Sequence, residues 1–175
     1  MKQWIPAGAL LVLAAATATS AAKGPKGAKA DLHDAQGKAV ATASLKQVKN
    51  GVRISLQVAD LPAGTHAFHI HTAGKCEAPD FTSAGGHFNP EGKKHGLKNP
   101  EGPHAGDMPN ITVVANGKGK AQVVNTRVAL GEGANSLFHE GGTAIVIHEK
   151  ADDEMTDPAG NAGKRITCGV IEKAQ

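Results

Sequence analysis

The sequence predicts an all-β fold, a sandwich or barrel of short strands, and three observations carry that prediction. Apolar residues alternate with polar ones at period two. Asn-Gly pairs stand where hairpins would turn. Outside residues 1–22 no stretch keeps a helical periodicity, and 22 glycines and 9 prolines punctuate the 175 residues too densely for a helical bundle. A chain of this length makes one domain. With 40% apolar and 20% charged residues it has the balance of a soluble globular protein, not of a disordered one. Aromatics are only 3% and tyrosine is absent, so the core has to be assembled from Val, Ile, Leu and Ala. A net charge of +3 is too mild to imply nucleic acid, and no basic stripe interleaved with aromatics is present.

Residues 1–22 read MKQWIPAGALLVLAAATATSAA: one lysine, an apolar run from Trp4 to Ala16, then small residues. That is the layout of a secretory signal peptide. The run is shorter than the roughly 20 apolar residues a membrane span needs, and no cysteine lies near the cleavage region to carry a lipid. We therefore expect cleavage near Ala22, a single domain over 23–175, and a product in the periplasm or outside the cell, free of the membrane once the leader is gone. Residues 23–30, KGPKGAKA, are expected to be a loosely ordered basic lead-in.

Alternation begins at Ala39. Val52, Ile54, Leu56 and Val58 interleave with Arg53, Ser55 and Gln57, a half-buried strand announced by Asn50-Gly51. Asn116-Gly117 is flanked by 111–114 and 121–128, a second hairpin. Thr65 to His71, Thr143 to His148, and Gly169 to Ile171 complete the strand-like runs. Residues 72–109 and 149–164 do not fit the pattern, and connections that long in a compact domain are usually functional or disordered.

Export makes the two cysteines, Cys76 and Cys168, informative, because the compartment is oxidising. One intramolecular disulfide is the simplest reading. Two buried thiols are the bland alternative, and a cysteine-based zinc site lacks a CxxC spacing or further thiolates, although nearby histidines could in principle complete one.

Nine histidines are the outlier in composition. His69 and His71 stand two apart in a strand-like run, so both imidazoles share one face. His87, His95, His104 and Asp107 follow in a Gly-rich stretch, and His148 ends a later strand. Imidazole suits zinc and copper, and three imidazoles with one carboxylate make a closed four-coordinate zinc site. His66 is read as a structural hydrogen-bonder, His33 and His139 as surface residues, and Gly85, Gly86 and Gly106 as backbone necessities beside the ligands.

These residues also carry a resemblance. AFHIH (67–71), SAGGHFNP (83–90), KHG (94–96), HAGD (104–107), IHEKADD (147–153), GNAGKR (160–165) and CGVI (168–171) closely resemble, in order, the signature of the copper/zinc superoxide dismutases. The similarity runs from about residue 30 to the C-terminus, and the short stretch EMTDPA (154–159) is similar to the bacterial, exported branch.

The resemblance implies a Greek-key sandwich closing to a flattened barrel of about eight antiparallel strands with two long functional loops. It implies one copper and one zinc per chain. His69, His71, His87 and His148 would bind copper, and His87, His95, His104 and Asp107 would bind zinc, with His87 bridging the two. Asp152 would link a copper histidine, His71 or His69, to zinc ligand His95. Arg165 would dock the anion, and Lys150 with the charged loop 149–164 would shape its approach. The implied reaction converts superoxide to dioxygen and hydrogen peroxide by alternating reduction and reoxidation of copper, with His87 offering a proton. A homodimer and a monomer are both compatible. The competing reading is a non-enzymatic copper/zinc-binding module on the same fold, and the completeness of the ligand set with Arg165 favours the enzyme.

Overall fold

The structure, a computed structural model, describes Met1, residues 24 and 25, and residues 27–174. Apart from Met1, the leader expected over 1–22 lies outside the described residues.

Among the described residues ten strands run in chain order: β1 Gly27–His33, β2 Ala39–Val48, β3 Gly51–Val58, β4 Gly64–His66, β5 Phe68–His71, β6 Ile111–Val113, β7 Gly119–Asn125, β8 Ala144–His148, β9 Arg165–Val170 and β10 Glu172–Lys173. Among the described residues the only helical element is a 3-10 turn, Thr82–Ala84. Single residues, Ala67 and Ile171, separate β4 from β5 and β9 from β10, so the ten strands form eight continuous runs, as expected.

All pairings between these strands are antiparallel, in the order β4-β6-β7-β3-β2-β1-β9-β8-β5, with β10 also on β1. The two ends of that order, β4 and β5, are consecutive in the chain, so the sheet closes on itself through Ala67. Partners distant in sequence, β3 with β7 and β1 with β9, give the Greek-key crossing.

The alternation seen in sequence becomes inside and outside. Val52, Ile54, Leu56 and Val58 are buried in the barrel with Leu32, Leu45, Phe68, Ile70, Ile145 and Ile147, while Arg53 and Gln57 face water. β5 and β8 differ, being buried on both faces. Their inward residues, Phe68, Ile70, Ile145 and Ile147, join the main core. Ala144 and Val146 point outward and pack with Phe81, Ala84 and Cys168 under the loop that follows β5. His69, His71 and His148 lie on that same outward face by the two-residue period, so the long loops turn an outer sheet surface into an interior.

Three expectations need correction. Residues 27–30 are not a loose lead-in but the start of β1, with Ala28 and Ala30 buried against Leu45 and Ala43 of β2. The run 121–128 stops as a strand at Asn125, because the Asn125 side chain accepts from the Arg127 amide at 2.9 Å and turns the chain. The run 65–71 is broken at Ala67, where pairing switches from β6 to β8. The cysteines form the disulfide Cys76–Cys168, closing a separation of 92 residues.

Candidate metal centre

Among the described residues five buried histidine nitrogens have no hydrogen-bond partner; His139 Nε2 stands apart, and the other four are Nδ1 of His69 and Nε2 of His71, His87 and His148. Each such atom costs about 1–3 kcal/mol if it is left unsatisfied. The four residues offer nitrogens within 4.8 Å of one another. Buried lone pairs converging on one point are the donor set of a cation that accepts imidazole.

The other nitrogen of three of these rings fixes the tautomer. His71 Nδ1 donates to the Gly85 carbonyl at 2.9 Å, and His148 Nδ1 faces the Gly163 carbonyl at 3.4 Å. His69 Nε2 donates to Asp152 Oδ2 at 2.8 Å. Each therefore turns an unprotonated nitrogen toward the shared point.

His87 is the exception. Its Nδ1 lies 3.0 Å from Asp107 Oδ1, and around the same oxygen stand His95 Nδ1 at 3.1 Å and His104 Nδ1 at 3.4 Å. Zinc bonds of 2.0–2.1 Å at tetrahedral angles place donors about 3.3 Å apart, so this second set has the dimensions of a zinc site. His87 contributes one nitrogen to each set.

Backbone and loop contacts hold the acids in place. Asp107 Oδ2 accepts from the amides of Gly96 at 2.9 Å and His104 at 3.0 Å. Asp152 spans the two sets, with His69 on one oxygen and His95 Nε2 on the other at 3.0 Å. The partner of Asp152 is thus His69, and His71 bonds Gly85 instead. Arg165 donates to the carbonyls of Phe81 at 2.6 Å and Gly85 at 2.7 Å, where it borders a cavity of about 460 Å³ shared with Pro79, Asp80, Thr82, Gly163 and Lys164. Phe81 takes a left-handed backbone, φ 54°, as it presents that carbonyl.

The protonation of the site follows from the same contacts. Burial, reinforced by neighbouring histidines, pushes His87 down to about 4 and His148 to about 3. His71 is held well below its usual range for the same reasons. Burial would lower His95 too, but hydrogen bonds to Asp107 and Asp152 outweigh it and lift this ring to about 9. Burial would raise Asp107 and Asp152, but their histidine partners and the backbone amides of Gly96 and Glu154 hold both carboxyls far below the usual range. His71, His87 and His148 are thus held as neutral imidazoles and the acids as carboxylates, the states that metal ligation requires.

Of the remaining sequence-selected residues, His66 bonds the carbonyls of His148 and Pro62, both at 2.9 Å, and is structural. His33 is exposed. His139 is partly buried rather than on the surface, stacked on Phe88 with centroids 5.3 Å apart. Gly106 is required, since a Cβ there would overlap the Ile70 carbonyl. Gly86 is not, because a Cβ would meet nothing within 4 Å.

The loop 149–164 is more than a solvated charge run. Asp157 accepts from the His95 amide at 2.8 Å, and Asp153 accepts from the amides of Met155 and Thr156. Sequence reasoning missed Asp157, and also Asn110, whose amide oxygen and nitrogen bond the Asp152 backbone at 2.8 and 2.9 Å. Neither carries a periodic or spacing signal.

Comparison with known proteins agrees with this geometry. The family described as Copper/zinc superoxide dismutase (SODC) matches residues 36–171. The chain belongs to the copper/zinc superoxide dismutase family. Superoxide dismutase (Cu-Zn) 1 of Aquifex aeolicus (strain VF5) is 57% identical over 145 residues, 82% of this chain and 86% of that protein. Superoxide dismutase (Cu-Zn) of Deinococcus radiodurans is 39% identical, over 93% of each chain. A crystal structure of a double mutant of a SOD-like protein from Bacillus subtilis superposes with a TM-score of 0.78 at 43% identity, covering 81% of this chain and 95% of that one. The activity is the dismutation of superoxide, with copper and zinc as cofactors.

Proposed function

We propose that the chain is an exported superoxide dismutase in which His69, His71, His87 and His148 hold copper, and His87, His95, His104 and Asp107 hold zinc. Arg165 receives the anion. The observation that carries this reading is His87, one ring with a nitrogen in each of two donor sets. Copper held by His69, His71, His87 and His148 would supply a redox couple for superoxide, and zinc held by His87, His95, His104 and Asp107 would polarise the His87 ring.

The chain itself contributes orientation, anion binding and a proton. Overall, two superoxides and two protons become dioxygen and hydrogen peroxide. His69, His71 and His148 turn their one N–H toward protein acceptors and have no proton to spare. His87 differs in having its Nδ1 in the zinc set rather than on a protein carbonyl, so its unpartnered Nε2 is the atom that would take up a proton and release it toward the substrate as a general acid. Arg165, fixed by two carbonyls, offers its remaining N–H groups to a small anion in the cavity. Lys164 on that cavity and exposed Lys150 add positive charge to the approach, and Asp80 on the same wall opposes it.

The leader at 1–22, a mature domain from residue 23 and delivery to the periplasm or outside the cell belong to the same proposal. Their support is the apolar run with small residues at its end and the disulfide of an oxidising compartment. Sequencing the N-terminus of protein recovered outside the cytoplasm tests them, with Lys23 the expected first residue. The enzymatic reading is tested by superoxide dismutation on purified mature protein with copper and zinc quantified on the same sample. Fast turnover that tracks copper near one per chain is expected. Inactivity at full loading of both metals favours the non-enzymatic module.

A further inference from the structure

The four carbonyls of His104-Ala105-Gly106-Asp107 are all held from outside that tetrapeptide. Ala105 O accepts from Asn125 Nδ2 at 2.8 Å. His104 O accepts from Arg127 Nε at 3.1 Å, and Asp107 O from Arg127 Nη2 at 2.6 Å. Gly106 O accepts from the Ile70 amide at 3.0 Å, and Gly106 N donates to Phe88 O at 2.8 Å. Three of these bonds come from one turn at the end of β7, which closes on itself through Asn125 Oδ1 and the Arg127 amide. Asn125 is buried and Arg127 half-buried, and neither side chain belongs to a metal-donor group.

The placement has a purpose that backbone satisfaction alone does not explain. The tetrapeptide carries two of the four zinc donors, His104 and Asp107. Its glycine is bonded to Ile70, the residue between copper ligands His69 and His71. Wherever the 125–127 turn sets this segment, it sets the zinc donors relative to the copper strand. Burial pushes the Arg127 guanidinium below its ordinary pKa, while the charges of Asp107 and Glu91 offset the cost. A cation beside a cation site is Coulombically unfavourable, so an arginine here has to act through the geometry of its planar, two-carbonyl grip.

We propose that Arg127 and Asn125 are a clamp that positions His104 and Asp107 for zinc and couples the zinc donors to the copper strand. The clamp rests on the reading that His87, His95, His104 and Asp107 hold zinc, and neither clamp residue touches metal or substrate. Outer partners of metal ligands typically change affinity by 10–100-fold when removed.

The test compares Arg127→Met, Arg127→Lys and Asn125→Ala with the wild-type mature protein. Zinc and copper affinities are read by chelator competition, thermal stability is read metal-free, and the visible spectrum is read with cobalt in the zinc site. Expected are a zinc Kd raised roughly 10–100-fold in Arg127→Met and Asn125→Ala, copper still bound near one per chain, and altered cobalt bands at saturation. Arg127→Lys, which keeps the charge and one donor, falls between and guards against a folding failure in the other two. A zinc Kd unchanged in all three variants overturns the clamp. So does tighter zinc in Arg127→Met, which would make the guanidinium a repelling charge. So does equal weakening of both metals alongside a lower metal-free Tm, the mark of a merely structural role. A wild-type protein that binds no zinc removes the zinc reading itself, and the clamp with it.

Discussion

Gly160 lies over the Asp152 bridge in a left-handed backbone, φ 62°. Replacing it with alanine places a Cβ 2.5 Å from Asp152 Cγ and 2.7 Å from His95 Nε2, closer still to Asp152 Oδ1. Ordinary contact begins at 3.4 Å, so the carboxylate or the loop must give way by well over 1 Å at the Asp152 oxygen. The bond between His95 Nε2 and Asp152 Oδ1, now 3.0 Å, does not survive a displacement of that size. Losing a hydrogen bond to a charged group costs about 1.5–3 kcal/mol, and the left-handed conformation costs alanine roughly 1–2 kcal/mol more. Together these lower the Tm by roughly 5–20 °C for a domain of this size. With His95 no longer oriented from behind, zinc affinity falls about 10–100-fold. Thermal melts with and without metals, together with chelator competition for zinc, measure both effects. Gly131→Ala, where a Cβ meets nothing within 4 Å, is the control. A Gly160→Ala protein with wild-type Tm and zinc affinity would show that the loop yields freely, and that Asp152 is not held by what covers it.

Other perturbations separate the remaining roles. His148→Ala removes one of the four orphaned donors and should abolish most turnover by weakening copper, so full activity at stoichiometric copper refutes the assignment. Arg165→Ala should slow turnover and flatten its ionic-strength dependence while both metals stay bound, and metal loss instead would make Arg165 structural. Metal-free protein should be most stable near pH 6.5. His87 and His148, depressed to about 4 and 3, contribute stability that is complete above 6.5 and is lost as pH falls through those values. His95, raised to about 9, contributes stability that is complete below 6.5 and is lost as pH rises through 9. A melting profile without that maximum refutes the assignment of protons. Replacing Cys76 and Cys168 with alanine frees a loop of 92 residues, worth roughly 4–5 kcal/mol in chain entropy. Denaturant titration checks this, and a loss under about 1 kcal/mol would mean that the chain-entropy account fails here.

The clustering of the candidate metal donors was readable because their chemistry is carried by residue type and strand period. His69 and His71 share a face for the reason that any i, i+2 pair does. Strands rich in Val, Ile and Leu, such as β3, declare themselves in the same way. β1 did not, since two of its three buried positions are Ala28 and Ala30, too small for their alternation with Lys29 and Asp31 to stand out. The partner of Asp152 was ambiguous between neighbours because sequence places both rings near it, and only the ring rotation brings His69 Nε2 to the carboxylate. Asn110, Asn125, Arg127 and Asp157 act through carbonyls and amides of residues 20 to 62 positions away. Contacts of that kind leave no local pattern, because a backbone group has the same chemistry in every residue.

The pairing switch at Ala67 bears on how the barrel opens. Elsewhere its circumference is held by ladders of hydrogen bonds, but at this seam the hoop is joined by the chain itself, as β4 passes into β5. The Ala67 carbonyl accepts from the His148 amide at 2.9 Å, and its own amide donates to the Lys150 carbonyl at 2.8 Å, so the join is pinned to the end of β8, where His148 stands. Unzipping therefore has to begin at a ladder, and peeling β8 from β5 drags His148 away from His69 and His71. A bound ion would act as a rivet through three plies of the wall, and the amides of 68–71 and 144–148 would register it as slowed exchange of their hydrogens long before any spectroscopic probe of the ion itself was consulted.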